Sequence, residues 1–361
     1  MFATANKPQQ SHTAEFTALD LARLVAATAL PVLLLAGIIH GIAALGWLPR
    51  PKPLLDIDRT ILLHQASAAE QGGQASLLLI GDSSCLMDAA PLKLQLALGV
   101  ETRNLATLSY VDLVTQARLA SNYWHHASTP EPITRTLDRP RTVLLLMHPD
   151  ALRLGELPEQ HSEIIDDFWA KRDASRGASE RWTIPERAMA VDVLQGRLIG
   201  RALPRALPAR FGDAYGFTHS LWHAMDLEAG GVIDPNEYTT ASGAGRPEYR
   251  IAARAERESR AFKRLLPASV KLVVGLTPLP EGFAEGGYPD VARLLLTRWA
   301  GYLGADLALM DLPATMPDRY FASTTHLNAN GRGLFSSHLA GALRTAGYPR
   351  LAPPPATGRI P

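Results

Sequence analysis

Ala75-Ser76-Leu77-Leu78-Leu79-Ile80-Gly81-Asp82-Ser83-Ser84 joins a short apolar run to a turn of glycine, acid and serine. An apolar run of strand length without polar alternation predicts a strand covered on both faces, as in a parallel sheet. The turn residues end it, and glycine permits the tight reversal. The carboxyl end of such a strand opens onto the crevice where α/β sheets bind ligands. If a helix starts there, its first N–H groups lack partners and are available to a developing oxyanion. Ser83 is therefore a candidate nucleophile. The plainer reading is that Asp82 or Ser83 only caps the helix.

Outward from this turn, the chain alternates strands and helices. Residues 92–98 are read as a helix opened by Pro91 and closed by Gly99, and Val100 to Leu105 as a second strand. Val114, Ala117, Ala120 and Trp124 give helical spacing over 111–126. Arg141 to Met147 and Lys271 to Leu276 predict buried strands, stopped by His148-Pro149-Asp150 and Thr277-Pro278. Tyr288 to Gly304 predicts a helix, Asp306 to Met310 a last short strand, and 332–346 a final amphipathic helix. The alternation predicts a three-layer α/β/α fold with a mostly parallel sheet. Residues 151–262 do not fit this rhythm and are read as a helical insertion. Its Arg197, Arg201, Arg205 and Arg210 belong either to a solvated face or to a basic amphipathic piece on the membrane or over the site.

Leu24 to Leu48 carries no Asp, Glu, Lys or Arg. As a helix it would extend about 37 Å, more than the ~30 Å of a hydrocarbon core. It is read as an uncleaved transmembrane anchor over 24–48, with a signal peptide as the rival. Residues 1–23 are read as a cytoplasmic tail, 49–74 as a juxtamembrane linker and helix, 75–346 as the catalytic-type domain, and 347–361 as a proline-rich tail. Lys7 and Arg23 precede the span, while Arg50, Lys52 and Arg59 follow it, so charge alone, by a difference of one residue, places the large C-terminal part in the cytoplasm.

The whole chain has 361 residues and a formal charge of +1, a balance that gives no reason to expect nucleic acid as a partner. Cys85 is the only cysteine, which excludes an intrachain disulfide and a thiolate-rich zinc site. No cofactor or metal site is expected, because the paired His125-His126 and His219/His223 lack a matching carboxylate or cysteine pattern.

A serine nucleophile needs a base. Thr325-His326-Leu327-Asn328-Ala329-Asn330-Gly331 places a histidine just before the final helix, and histidine titrates in the required range. Together, Gly81-Asp82-Ser83 and His326-Leu327-Asn328 resemble the two signature blocks of the SGNH (GDSL-like) hydrolase superfamily. The likeness covers roughly residues 75–345, interrupted by 151–262.

The resemblance implies Ser83 as nucleophile and His326 as general base. It also implies an oxyanion and pocket set drawn from Gly81, Asp82, Ser84, Asn104, the backbone near Thr107 to Ser109, and His148. Two departures stand out. Met147-His148-Pro149-Asp150 replaces the family's Gly-x-Asn-Asp block, and Ser323 stands where the family's aspartate precedes the histidine. Asp318 or Asp311 would then orient the ring, or a backbone carbonyl would do so in a Ser-His dyad. An SGNH-like domain on one N-terminal span looks like the arrangement in bacterial polysaccharide acyl-modification systems. That implies an acyltransferase or esterase acting on extracytoplasmic glycan or a small acyl ester, at the inner membrane, with a membrane-bound O-acyltransferase as partner. The alternative is an inactive assembly component that kept the fold.

Overall fold

The computed structural model describes residues 17–45, 47–48, 55–126, 141–155, 187–188, 190–191, 194, 217–236 and 249–348. The arginines at 197, 201, 205 and 210 lie outside them, as do residues 1–16 and 349–361 of the two tails. Two compact units are present: Met1–Pro53 with Ala178–His219, and Leu54–Gly177 with Ser220–Pro361.

In the first unit, α1 spans Ala18–Ala44 and is long and apolar enough to cross a membrane. It starts earlier than the uncharged run because Thr17 and Asp20 form a reciprocal capping box, so Ala18 to Arg23 are helical instead of belonging to a tail. Leu24, Val25, Leu30, Leu33, Leu34 and Ile38 are all exposed. Pro31 is accommodated inside the helix.

The second unit is mixed α/β. Its strands are β1 (Leu77–Gly81), β2 (Thr102–Asn104), β3 (Thr142–Met147), β4 (Lys271–Leu276) and, after the two-residue β5 (Leu279–Pro280), β6 (Leu307–Ala308). The main sheet runs β2-β1-β3-β4-β6, with every neighbouring pair parallel. Leu77 to Ile80 and Val143 to Leu146 are fully buried, which is why these runs show no polar alternation. From β1 the chain builds first to one side and then to the other, so the loops after β1 and β3 part around a crevice.

Helices follow the strands as expected: α3 (Ser83–Asp88), α4 (Pro91–Leu98), α5 (Leu113–His126), α6 (Pro149–Arg153), α7 (Phe217–Leu227), α8 (Ala253–Leu265), α9 (Tyr288–Leu303) and α10 (Ala329–Thr345). One packed set joins α5 to α8 and α8 to α9, and another joins α10 to α3 and α4.

Other boundaries also differ from the sequence reading: β2 is shorter than 100–105, and the last helix starts at Ala329, ahead of 332. The juxtamembrane helix is there as α2 (Ile57–Gln71), but it belongs to the α/β unit and packs on α5 with Ile61, Leu62, Ala66 and Ala69 buried. Likewise α8, placed in the insertion, is integral to the unit, with Phe262 buried and Ser259 accepting from Trp299 Nε1 at 3.1 Å. The last sheet strand is only Leu307–Ala308, and just before it the exposed Asp306 carboxylate accepts from the N–H of Leu272 at 2.8 Å and from Lys263 at 2.7 Å. A small parallel pair, β5 with β7 (Thr315–Met316), was not foreseen.

Candidate active site

Gly81 ends β1 at φ 151°, and a Cβ there would lie 1.8 Å from the carbonyl oxygen of Leu146. Only glycine lets β1 and β3 approach closely at this point. Asp82 then caps α3. Its Oδ1 accepts from Ser84 N at 3.1 Å and from Ser84 Oγ at 2.5 Å, and its Oδ2 accepts from His148 N at 3.0 Å. Thr277 Oγ1 donates to Ser84 Oγ at 3.0 Å, so one buried network ties together the ends of β1, β3 and β4. Asp82 and Ser84 therefore build the turn from beneath. Ser83, partly exposed, projects at its edge.

The turn meets the loop before α10. His326 Nε2 lies 3.0 Å from Ser83 Oγ across a separation of 243 residues. The imidazole is held by its backbone on both sides. Ser323 Oγ accepts from His326 N at 3.0 Å, and Ala322 N donates to His326 O at 2.8 Å. Asp88 Oδ1 accepts from Leu327 N at 2.7 Å. Leu327 is fully buried, and Asn328 caps α10 through the N–H groups of Asn330 and Gly331. Gly331 is required because a Cβ there would meet Tyr320 O at 2.0 Å. Ser323 thus shapes the loop through its hydroxyl and does not orient the ring.

That task falls to a residue the sequence reading missed. Asp234 Oδ2 lies 3.1 Å from His326 Nδ1, with the carboxylate 8% exposed. Neither expected acid is there. Asp318 Oδ1 accepts from Gly282 N at 2.8 Å, and Asp311 is exposed. Asp234 comes from the stretch read as a helical insertion. The chain leaves α7, turns through Ala229 at φ 48° and Gly230 at φ 92°, and runs as an extended strap to Pro235. Asn104 N donates to Ala229 O at 2.9 Å, and Val232 N to Leu86 O at 3.2 Å. The only sequence trace of this strap is the turn-rich Gly230-Gly231-Val232-Ile233-Asp234-Pro235-Asn236.

Two pocket expectations also change. The side chain of Asn104 is fully buried and already committed: its Nδ2 donates to Cys85 O at 3.1 Å, and its Oδ1 accepts from Ala106 N at 2.8 Å. It braces α3 and has no donor free for a substrate. His148 is 3% exposed, and its Nδ1 accepts from Asp150 N at 3.2 Å. Burial holds its pKa below the ordinary histidine range, against the opposing pull of Asp82 and Asp150. Neutral, with Nδ1 as acceptor, it carries its proton on Nε2, which has no hydrogen-bond partner among the described residues.

Burial drives the Cys85 thiol far above its ordinary pKa, and the nearby Asp82 and Asp88 carboxylates push the same way. Cys85 is therefore a protonated core residue and no rival nucleophile. Asp88 is likewise buried, and desolvation raises its pKa well above the carboxylate range. Among the described residues, no group of three or more His, Cys, Asp or Glu side chains is arranged to hold a metal ion.

The arrangement is a hydroxyl, an imidazole and a carboxylate in line, at the crevice where strand order reverses. Such a line can move a proton off a serine while the carboxylate stabilises the resulting imidazolium. Compared with known protein families and with characterised proteins, the chain matched none.

Proposed function

We propose that this chain is a membrane-anchored, SGNH-like serine enzyme that transfers or cleaves acyl esters of extracytoplasmic glycans through an acyl-Ser83 intermediate. The observation that carries the reading is the continuous Asp234–His326–Ser83 line, with contacts of 3.1 and 3.0 Å between residues far apart in sequence.

In this reading Ser83 Oγ attacks the ester carbonyl while its proton passes to His326 Nε2. Asp234 holds the ring with Nδ1–H toward it and stabilises the imidazolium. Collapse of the tetrahedral intermediate breaks the C–O bond to the leaving alcohol, which takes the proton from His326. The acyl group then rests on Ser83 until a sugar hydroxyl or water, deprotonated by the same imidazole, displaces it. Asp82 satisfies the N–H groups of Ser84 and Cys85, leaving the Ser83 N–H as the first donor to the oxyanion. The exposed apolar α1 supports membrane anchoring, and a glycan substrate with a membrane-bound O-acyltransferase partner fits that placement.

The alternative of an inactive assembly component rested on the two motif departures, Ser323 and His148. Asp234 beside His326 supplies an acid that the first of them left wanting.

The test is direct. The full chain in detergent micelles is incubated with p-nitrophenyl acetate, and the intact mass and peptides are examined for an acetyl group on Ser83. Turnover with acetyl-Ser83, absent in Ser83→Ala, is the expected result. Equal rates in both proteins without adduct would sink the enzymatic reading. Acetyl transfer to an added oligosaccharide in excess of hydrolysis would mark a transferase.

A further inference from the structure

We propose that Gln65, on the helix α2 that precedes the α/β sheet, is a positioning residue for Asp234. The inference rests on the catalytic reading of Ser83 and His326. Gln65 is fully buried and far in sequence from Asp234 and His326. Its Nε2 donates to Ala106 O at 2.9 Å and to Gly230 O at 3.0 Å. Both partners are carbonyls, which fixes the amide orientation: only the NH₂ end can satisfy two acceptors.

One side chain therefore clamps the loop after β2 to the strap that delivers Asp234. Gly230 sits four residues before Asp234, at the left-handed turn where the strap presses on β2, and a Cβ there would lie 2.0 Å from Asn104 O. The neighbouring His64 holds α7, the helix that leads into the strap. Its Nε2 lies 2.9 Å from Asp226 Oδ1, and its ring packs edge-on to Trp222 at 4.9 Å. At the other flank Arg332 Nη1 reaches Glu228 Oε2 at 2.7 Å. Between Glu228 and Asp234 the strap has no regular structure of its own. Its path is set by these contacts and by the backbone bonds to Asn104 and Leu86, and among the described residues Gln65 is the one whose side chain bonds its backbone.

Loss of the clamp should let Asp234 drift from His326 while leaving Ser83, the oxyanion donors and the substrate crevice in place. A positioning role then lowers kcat and spares KM.

The experiment measures p-nitrophenyl acetate turnover by the full chain in micelles for wild type, Gln65→Met, Asp234→Asn and the double variant. Gln65→Met should lose about 10- to 100-fold in kcat, with KM changed less than about twofold. In the Asp234→Asn background the same substitution should cost less than about threefold, because the two losses share one interaction. Leu339→Ala, a buried change on α10 outside this assembly, serves as the stability control: it should lower the melting temperature without lowering kcat at temperatures where it is folded. If Gln65→Met does not fold, Gln65→Asn keeps the amide but shortens its reach, and should show the same pattern in weaker form. Wild-type kcat in a folded Gln65 variant, or losses that simply multiply with Asp234→Asn, would overturn the proposal alone. Turnover that does not depend on Ser83 in the wild-type background would overturn the catalytic reading, and this one with it.

Discussion

Asp234 Oδ2 and His326 Nδ1 lie 3.1 Å apart across 92 residues of chain, joined by a strap whose own bonds run to β2 and α3. The carboxylate is nearly buried, so water competes little for the ring. Replacing it by an amide keeps the shape, but an amide that donates to Nδ1 would favour the tautomer with the proton on Nε2. That tautomer cannot accept from Ser83. Asp234→Asn is expected to lower kcat by about 10³- to 10⁴-fold, the scale known for the same change in serine proteases. Asp318→Asn and Asp311→Asn should stay within about threefold of wild type, since neither meets the ring. Steady-state rates on the four proteins decide it, and an Asp318 variant as crippled as the Asp234 variant would contradict the arrangement.

Asp88 supports the histidine loop from within the core and gives the fold a pH signature. Burial raises its folded-state pKa well above the unfolded value, with a partial offset from the Leu327 N–H bond and Arg332 and further upward pushes from Asp82 and Asp234. The folded chain then binds a proton more tightly than the unfolded chain. By linkage, the contribution of this group to stability is fully present below the unfolded pKa of about 3.9 and is lost as pH rises toward the folded value. Asp88→Asn mimics the protonated acid and keeps an oxygen for Leu327 N. It should raise the melting temperature at pH 7 by about a few degrees, and the advantage should shrink as pH falls toward 4. Melting curves from pH 4 to 8 test this; a gain that grows on acidification would reverse the sign and refute the assignment.

The sheet was readable because its information is local. Leu77 to Ile80 and Val143 to Leu146 are continuous apolar runs with turn residues at their ends, and nothing competes with that signal. His326-Leu327-Asn328 and Gly331 stood out only through their likeness to a family block; the burial of Leu327, the capping by Asn328 and the close approach of Gly331 to Tyr320 depend on contacts that the sequence does not display. Asp234 carries no such mark. Its role comes from a strap set by Asn104, Leu86 and Gln65, all distant in sequence. The helix over 54–71 was legible from Ile57, Ile61 and Leu62, but its packing into the α/β unit was not, because its buried face includes Thr60, His64 and Gln65, which look solvent-facing until their partners are known. β5 and β7 are two residues each, too short for any periodicity to register. The early start of α1 was legible in Thr17 and Asp20 and was passed over for the uncharged run behind them.

Gly230→Ala tests the strap from its other side. A methyl group there would overlap Asn104 O at a φ of 92°, which only glycine tolerates readily. The substitution should destabilise the fold by about 2–4 kcal/mol. It should also cut kcat in the protein that remains folded, as the strap moves Asp234 away from His326. Gly333→Ala, where the nearest atom to an added Cβ is the flexible end of Lys93 at 3.6 Å, should cost less than about 0.5 kcal/mol. Urea titrations with parallel turnover measurements separate the two, and equal stability of the pair would show that the close approach to Asn104 is not needed.

The apolar helix makes a physical claim that fractionation can test. Leu24, Leu30, Leu33 and Leu34 are exposed along α1, a surface that water disfavours and hydrocarbon accepts. An anchored chain stays in the membrane pellet through alkaline carbonate washing, whereas a peripheral chain is released. Putting aspartates at Leu30 and Leu33 costs about 2.5–3.5 kcal/mol each at the centre of a span. The double variant should therefore shift to the soluble fraction, while the same pair of changes at Leu92 and Leu96, exposed on α4, should leave fractionation as it was. A C-terminal alkaline phosphatase, active only outside the cytoplasm, reads the orientation in the same cells. Phosphatase activity in the wild type, lost with the aspartates, fits an anchor that exports the α/β unit; a wild type released by carbonate would remove the anchor and the extracytoplasmic substrate together.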